Sequence, residues 1–106
     1  MSTNYPDTHL FLNGEWREAV AKESLEIINP ATEEVIGKVS HARKEDLDIA
    51  LNAAEKAFDS WKNVSAYERS KILRKAAEIV RRKSDHIATL MTMEQGKPVI
   101  EAKMET

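Results

Sequence analysis

"SDHIATLMTMEQGKPVIEAKMET", residues 84–106, contains the signals that determine how the last part of this chain folds. Ser84 is placed to cap a helix, and Gly96 stands where a helix ends with a residue in the left-handed conformation. Pro98 is predicted to be the first residue of a second helix, because its missing N–H costs nothing in a first turn. The apolar side chains expected to point inward from the first helix are Ile87, Leu90 and Met91. The stretch therefore predicts a helix, a glycine stop and a new helix.

The second of these helices, from Pro98 to Thr106, has no closing signal. No Gly, Asn or Pro follows Met104, although a finished helix usually ends on such a residue. Its apolar side chains, Val99 and Ile100 among them, need a surface to pack against. We therefore expect an element that is incomplete within this sequence.

Two longer helices are predicted upstream. Residues 44–61 have apolar side chains at helical spacing. Their acidic first turn suits the positive end of the helix dipole, and a solvated structural role explains its carboxylates, Asp46 among them. Residues 65–83 begin with Ser65 and Glu68, a capping box in which each side chain satisfies a backbone N–H of the first turn. The predicted buried face of this helix consists of Ile72, Leu73, Ala76, Ile79 and Val80.

The N-terminal half of the chain is predicted to be β. Asn13 and Gly14 lie between two short apolar runs and form the strongest short hairpin signal, since both tolerate the positive φ of a type I′ turn. A second strand pair is predicted in residues 24–40, where alternating apolar residues are interrupted at Asn29 and the proline after it. Residues 1–8 are polar and are predicted to form a flexible arm.

Composition excludes several classes of function. A length of 106 residues indicates one domain or part of one, and the net charge of −2 offers no basic surplus to attract nucleic acid or an anionic membrane. Without cysteine, the sequence has no disulfide, thiolate metal site or cysteine nucleophile. No apolar run approaches the roughly 20 residues that span a bilayer. The N-terminus lacks the basic head and apolar core of a secretory signal, so a cytoplasmic location is expected.

The residues alone contain no complete active site. The glycines are Gly14, Gly37 and Gly96. This spacing is too wide for a phosphate-binding loop. The histidines are His9, His41 and His86. They are isolated from one another, so surface or capping roles are expected rather than metal ligation. Trp16 and Trp61 are expected to anchor the core rather than to stack a ligand. These features indicate a soluble piece of an α+β or α/β domain.

The order of the segments, however, resembles a known family. Five segments follow one another as in the amino-terminal part of the aldehyde dehydrogenase superfamily: "LFLNGEW", "EIINPATEEVIGKV", "AEKAFDSW", "ERSKILRKAAEIV" and "LMTMEQGKPVIEAKME". The likeness runs from about His9 to the last residue. The "EQGKP" segment with "EAK" after it is most similar to the succinate-semialdehyde dehydrogenases. The chain departs at Glu33, where the family commonly has Gly, so the turn there is expected to be formed differently.

The resemblance implies an α/β fold. Residues 9–106 would be the N-terminal part of a Rossmann-like NAD(P)-binding domain, incomplete at its C-terminus, with short β-hairpins followed by three to four helices. The family's catalytic cysteine and its glycine-rich cofactor loop come after the point where this sequence ends. No catalytic and no cofactor-binding residue is therefore expected in this segment, which is interpreted as a fragment of a longer protein.

The resemblance also implies what the parent protein does. It would oxidise an aldehyde, with succinate semialdehyde as one candidate, to its carboxylic acid through a cysteine thiohemiacetal and a thioester. The cofactor would be NAD or NADP, and the parent would be a homo-oligomer, either a dimer or a tetramer. The alternative is a free-standing, non-catalytic helical interaction module derived from such a segment.

One family site reaches this segment by resemblance. Several relatives bind a structural monovalent cation through a backbone carbonyl in the strand before "NP" and an acidic side chain before "GKP". These correspond to Ile27 or Ile28 and to Glu94. Oxygen ligands suit a hard cation, and a carboxylate near a helix C-terminus is electrostatically disfavoured without one. The alternative interpretation, that Glu94 is simply an acid in a last helical turn, stays open.

Overall fold

The computed structural model describes residues 4–106, which form four strands and four helices. The strands are β1 (Leu10–Leu12), β2 (Glu15–Arg17), β3 (Ser24–Ile28) and β4 (Val35–Ser40). The helices are α1 (Lys44–Trp61), α2 (Ala66–Arg82), α3 (Ser84–Gln95) and α4 (Val99–Glu105). This order, short β pairs followed by helices, confirms the predicted architecture.

These elements belong to two compact units. The hairpin unit consists of Pro6–Glu26 and Gly37–Ser65 and contains β1, β2 and α1. The helical unit consists of Ile27–Ile36 and Ala66–Thr106, together with Asn4 and Tyr5, and contains α2, α3 and α4. The paired strands β3 and β4 each contribute residues to both units.

The first hairpin forms at the predicted turn. β1 and β2 pair antiparallel with Leu12 opposite Glu15, and the two turn residues, Asn13 and Gly14, have φ values of 52° and 79°. The positive φ of both residues matches a type I′ turn, whose twist suits the flanking strands. On one face of the hairpin the rings of Phe11 and Trp16 lie 5.0 Å apart.

The predicted flexible arm, residues 1–8, remains a prediction. Residues 1–3 lie outside the described part of the chain. Thr8 is bridged to β4: its N–H donates to the Lys38 carbonyl over 2.8 Å, and its own carbonyl accepts from the Ser40 N–H over 2.9 Å. The Asp7 carboxylate accepts a further hydrogen bond from the Lys38 N–H over 2.9 Å. The end of the arm is thus tied to β4 by two backbone hydrogen bonds of Thr8 and one to the Asp7 side chain.

The turn between β3 and β4 contains Glu33, the residue at which the sequence departs from the family that it resembles. The Asn29 N–H donates to the Glu34 carbonyl over 2.9 Å, and the Glu33 N–H donates to the Asn29 carbonyl over 2.8 Å. Glu33 has a φ of 61°. A side chain in this left-handed conformation costs about 1 kcal/mol relative to Gly. The turn is therefore closed by a strained glutamate.

The prediction that one face of α2 is buried is wrong. No residue of α2 is buried, and Ile72 and Leu73 are 55% and 67% exposed. Trp16 and Trp61, expected to anchor the core, are 67% and 41% exposed. The apolar spacing identifies a face suited to burial, but burial also requires a second surface against that face.

The first residues of α3 and α4 each differ by one position from the predictions. Ser84 does not cap α3 but is its first helical residue, because α2 ends at Arg82 and leaves only Lys83 between the two helices. The Lys83 carbonyl accepts from the Ile87 N–H over 2.9 Å, so the chain re-enters a helix at once. Pro98, predicted to be the first residue of α4, precedes it with an extended ψ of 142°.

The buried centre of the helical unit is small. α3 and α4 pack together, and Ala88 on α3 and Ala102 on α4 have no exposed surface. Ile87, Leu90 and Met91, which were expected to point inward, are partly buried. The Lys103 ammonium reaches the Asp85 carboxylate at 2.8 Å between the same two helices. Two alanines, rather than the larger apolar residues, mark the closest packing.

Candidate functional site

Two features that the family resemblance associates with aldehyde oxidation are missing from this sequence. The sequence has no cysteine, and its glycines are too widely spaced for a phosphate-binding loop. Within residues 4–106, no cluster of three or more histidine, aspartate or glutamate side chains is arranged to hold a metal ion. The predicted cation site consists of Ile27 or Ile28 and Glu94, which lie at the ends of β3 and α3.

Glu94 lies in the last turn of α3, and its carboxylate accepts a hydrogen bond from the Tyr5 hydroxyl. Burial, the hydrogen bond to Glu94 and the negative charge of Glu94, in that order, raise the pKa of Tyr5 to about 12. The hydroxyl therefore stays protonated and donating over the whole physiological range. The negative end of a helix disfavours a carboxylate, and this hydrogen bond offsets part of that cost.

Gly96 brings the end of α3 against the turn that follows β3. It has a φ of 76°, and its N–H donates to the Thr92 carbonyl over 2.8 Å, which confirms the predicted left-handed stop. A Cβ atom built on Gly96 would lie only 2.9 Å from Cγ of Pro30. Glycine is thus required here twice, once for the backbone angle and once for the close approach to proline.

This approach connects the two segments of the predicted cation site. Ile27 and Ile28 end β3 just before the turn containing Pro30, and Glu94 precedes Gly96 by two residues. The donors at hand are backbone carbonyls and one carboxylate, a set of hard oxygen ligands that suits a monovalent cation. The residues present therefore fit such a cation, and the site itself remains a prediction.

A buried polar atom near this site has no hydrogen-bond partner. The Thr92 hydroxyl, one turn before Gly96, is inaccessible to solvent and unpaired among residues 4–106. Such atoms are uncommon in folded proteins, because an unsatisfied hydroxyl loses its bonds to water. The sequence gives no signal for it, since a threonine within a helix can bond a carbonyl of the preceding turn or point to solvent.

Asp46 is the site in the hairpin unit that sequence reasoning missed. It is 1% exposed, whereas a solvated role was expected. Its carboxylate accepts from the N–H groups of Arg43 and Val20, each over 2.9 Å. These two bonds, with a smaller contribution from the Arg17 charge, hold the pKa of Asp46 below its usual range against the opposing effect of burial. Asp46 therefore anchors the start of α1 to the segment after β2.

One signal for this role was present in the sequence. Asp46 occupies the third helical position of α1, where the acid of a capping box bonds back to the N-cap backbone N–H. Because Arg43 stands where Ser or Thr is usual and its side chain cannot accept a hydrogen bond, only the half of the box made by Asp46 is formed. The bond from Val20 could not have been found, since 26 residues separate it from Asp46.

The hairpin unit also has a small polar cleft of about 160 Å³. Asp7, Glu23, Lys22 and Lys38 line it together with His9, whose ring nitrogen lies 3.4 Å from the Ser40 hydroxyl. The charges are mixed and exposed, which agrees with the surface role expected for this histidine. In the part of the chain described by the structure, no helix has the length and apolarity needed to cross a membrane.

Comparison with known proteins identifies the family. The model of the aldehyde dehydrogenase family matches residues 16–106. Aminoaldehyde dehydrogenase 2 of Solanum lycopersicum is 46% identical over 99 residues, which cover 92% of this chain and 20% of the relative.

Two solved structures are also similar. The NADP dependent enzyme of E. coli superposes with a TM-score of 0.91 at 36% identity, over 93% of this chain and 21% of that one. Succinate-semialdehyde dehydrogenase from Burkholderia pseudomallei superposes with a TM-score of 0.89 at 37% identity, over 92% of this chain and 20% of that one. The chain thus spans about a fifth of the length of these proteins. The tomato relative is an aminoaldehyde dehydrogenase and the Burkholderia protein a succinate-semialdehyde dehydrogenase, so the comparisons do not single out a likeness to succinate-semialdehyde dehydrogenases. The chain belongs to the aldehyde dehydrogenase family.

Proposed function

We propose that this chain is the N-terminal segment of an NAD(P)-dependent aldehyde dehydrogenase, and that it contributes structure rather than catalytic groups. The observation that carries the proposal is the family match over residues 16–106 in a sequence without cysteine. In the parent, the nicotinamide cofactor supplies the hydride acceptor. Because no residue here suits the cofactor or the thioester chemistry, we assign no step of the reaction to these residues.

The aldehyde oxidised by the parent is proposed only as a class. The resemblance around "EQGKP" favours succinate semialdehyde, whereas the tomato relative is by name an aminoaldehyde dehydrogenase. The two substrates differ in the charge at the far end of the carbon chain. A panel with both therefore distinguishes them. A cytoplasmic location and a homo-oligomeric parent, dimer or tetramer, belong to the same proposal.

The cation site is the one binding function that we propose for the segment itself. Glu94, with the carbonyl of Ile27 or Ile28, would hold a monovalent cation where the turn after β3 meets the end of α3. The contact between Pro30 and Gly96 and the hard character of the oxygen donors support it. The cation would neutralise a carboxylate at the negative end of a helix and so stabilise this junction.

Activity measurements test the proposed enzyme. The purified 106-residue chain should form no NADH or NADPH from succinate semialdehyde or from an aminoaldehyde, because it has no cysteine nucleophile. The longer reading frame that contains it, expressed whole, should form the reduced cofactor with at least one of them. Turnover by the short chain that survives repurification would contradict the proposal. A stop codon directly after Thr106 would instead favour the interaction module.

A further inference from the structure

The hydrogen bond between Tyr5 and Glu94 joins residues that are 89 positions apart within the helical unit. Tyr5 is partly buried, although it lies in the N-terminal arm. Among residues 4–106 the Glu94 carboxylate has no other hydrogen bond or ion pair. The orientation of this carboxylate is therefore controlled by one side chain from a distant part of the sequence.

The lysine nearest to Glu94 in the sequence is engaged elsewhere. The Lys97 ammonium lies 2.6 Å from the Glu105 carboxylate. It does not neutralise Glu94 in this arrangement. The charge of the carboxylate is therefore met by a neutral donor alone.

A neutral donor has a consequence that a lysine would not have. An ammonium at Glu94 would compete with a bound cation for the same negative charge. A hydroxyl instead restricts the rotamers of the glutamate while leaving its charge available. Partners of this kind orient metal-ligating carboxylates in many proteins, and their removal weakens metal binding.

We propose that Tyr5 is a positioning residue for Glu94, so that cation binding at Glu94 and docking of the Tyr5 segment on the end of α3 stabilise each other. This inference rests on the cation site proposed above. By linkage, a cation that binds better when the hydroxyl is in place must also hold the hydroxyl in place more firmly.

Thermal unfolding of the chain in different salts tests the coupling. The midpoint is followed during titration with NaCl or KCl, with choline chloride at equal ionic strength as the reference. We expect the sodium or potassium salt to stabilise the wild-type chain beyond choline. Glu94→Gln should abolish this difference. In Tyr5→Phe the apparent Kd for the cation should rise about tenfold or more.

Tyr67→Phe is the matched control, because Tyr67 is 70% exposed. It should leave the cation dependence unchanged. A merely structural role of Tyr5 would lower the midpoint equally in all three salts and leave the Kd unchanged, which would overturn the inference while the cation site stands. Tighter cation binding by Tyr5→Phe would also overturn it, because the hydroxyl would then be a competitor. A wild-type chain with no difference between the salts would overturn the cation site and the inference together.

Discussion

α2 and the α3–α4 pair belong to the same unit, but the apolar pattern of the sequence predicts burial differently in the two. The helix with the clearer apolar face is the one that stays exposed. α2 has the more regular apolar face, yet Leu73 on that face is 67% exposed. α3 and α4 pack on each other and bury Ala88 and Ala102 completely. The distance between two packed helices depends on the side chains at their contact. The comparison teaches that apolar spacing identifies a face, whereas small residues and a facing element determine what is buried.

α1 stands between these two cases. Its apolar stripe is exposed as in α2, with Leu51 58% and Phe58 60% exposed. Its first turn, however, is fastened by the buried Asp46. The anchoring of α1 is therefore polar and confined to one end, whereas that of α3 and α4 is apolar and runs between two helices.

The largest expected effect comes from enlarging the buried alanine of α3. Ala88→Leu should destabilise the chain by about 1–3 kcal/mol, because there is no exposed surface into which the added carbons can move. The matched change on α2, Leu73→Ala, should shift stability by no more than about 0.5 kcal/mol. Denaturant midpoints of both variants check this. A loss of stability above about 0.5 kcal/mol from Leu73→Ala would mean that this face of α2 is buried in solution.

The second prediction concerns the contact at the end of α3. Gly96→Val should destabilise by about 1–2 kcal/mol, because a β-branched residue is strained at a φ of 76° and its Cβ would meet Pro30 at 2.9 Å. Gly37→Ala should cost less, since Gly37 is not among the positive-φ residues. Urea denaturation of the two variants compares them. Equal shifts of the denaturation midpoint in the two variants would contradict the special role of Gly96.

The smallest effect is expected at the polar anchor of α1. Asp46→Asn should lower the denaturation midpoint at pH 7 relative to the wild type, and Asp48→Asn, which breaks an exposed pair with Lys44, should change it little. Because the pKa of Asp46 is lowered on folding, its stabilising effect is present above its unfolded pKa of about 4 and is lost as the pH falls through the folded value. The wild type and Asp46→Asn should therefore converge in acid. A constant difference at all pH values would show that the charge is not involved.

The candidate sites were predictable to different degrees. The family resemblance indicates Glu94 through its place before "GKP", but it does not indicate the partner Tyr5, because no periodicity or spacing relates residues 89 positions apart. For Asp46, sequence alone showed an acid suited to a helix start. Its burial depends on the Val20 N–H, which belongs to a segment outside the helix. In both cases the chemistry of the residue was evident, and its partner was not.

The sequence by itself determined the turn between β1 and β2 and the stop at the end of α3. Asn13, Gly14 and Gly96 have the positive φ values predicted for them, because these preferences belong to single residues and their immediate neighbours. Only the tertiary structure decided which helix faces are covered and which carboxylates are held. Those outcomes depend on contacts between residues far apart in the chain, such as Pro30 with Gly96 and Tyr5 with Glu94. An apolar helix face stays exposed unless another part of a polypeptide packs against it. The pattern within one helix does not specify which segment that is.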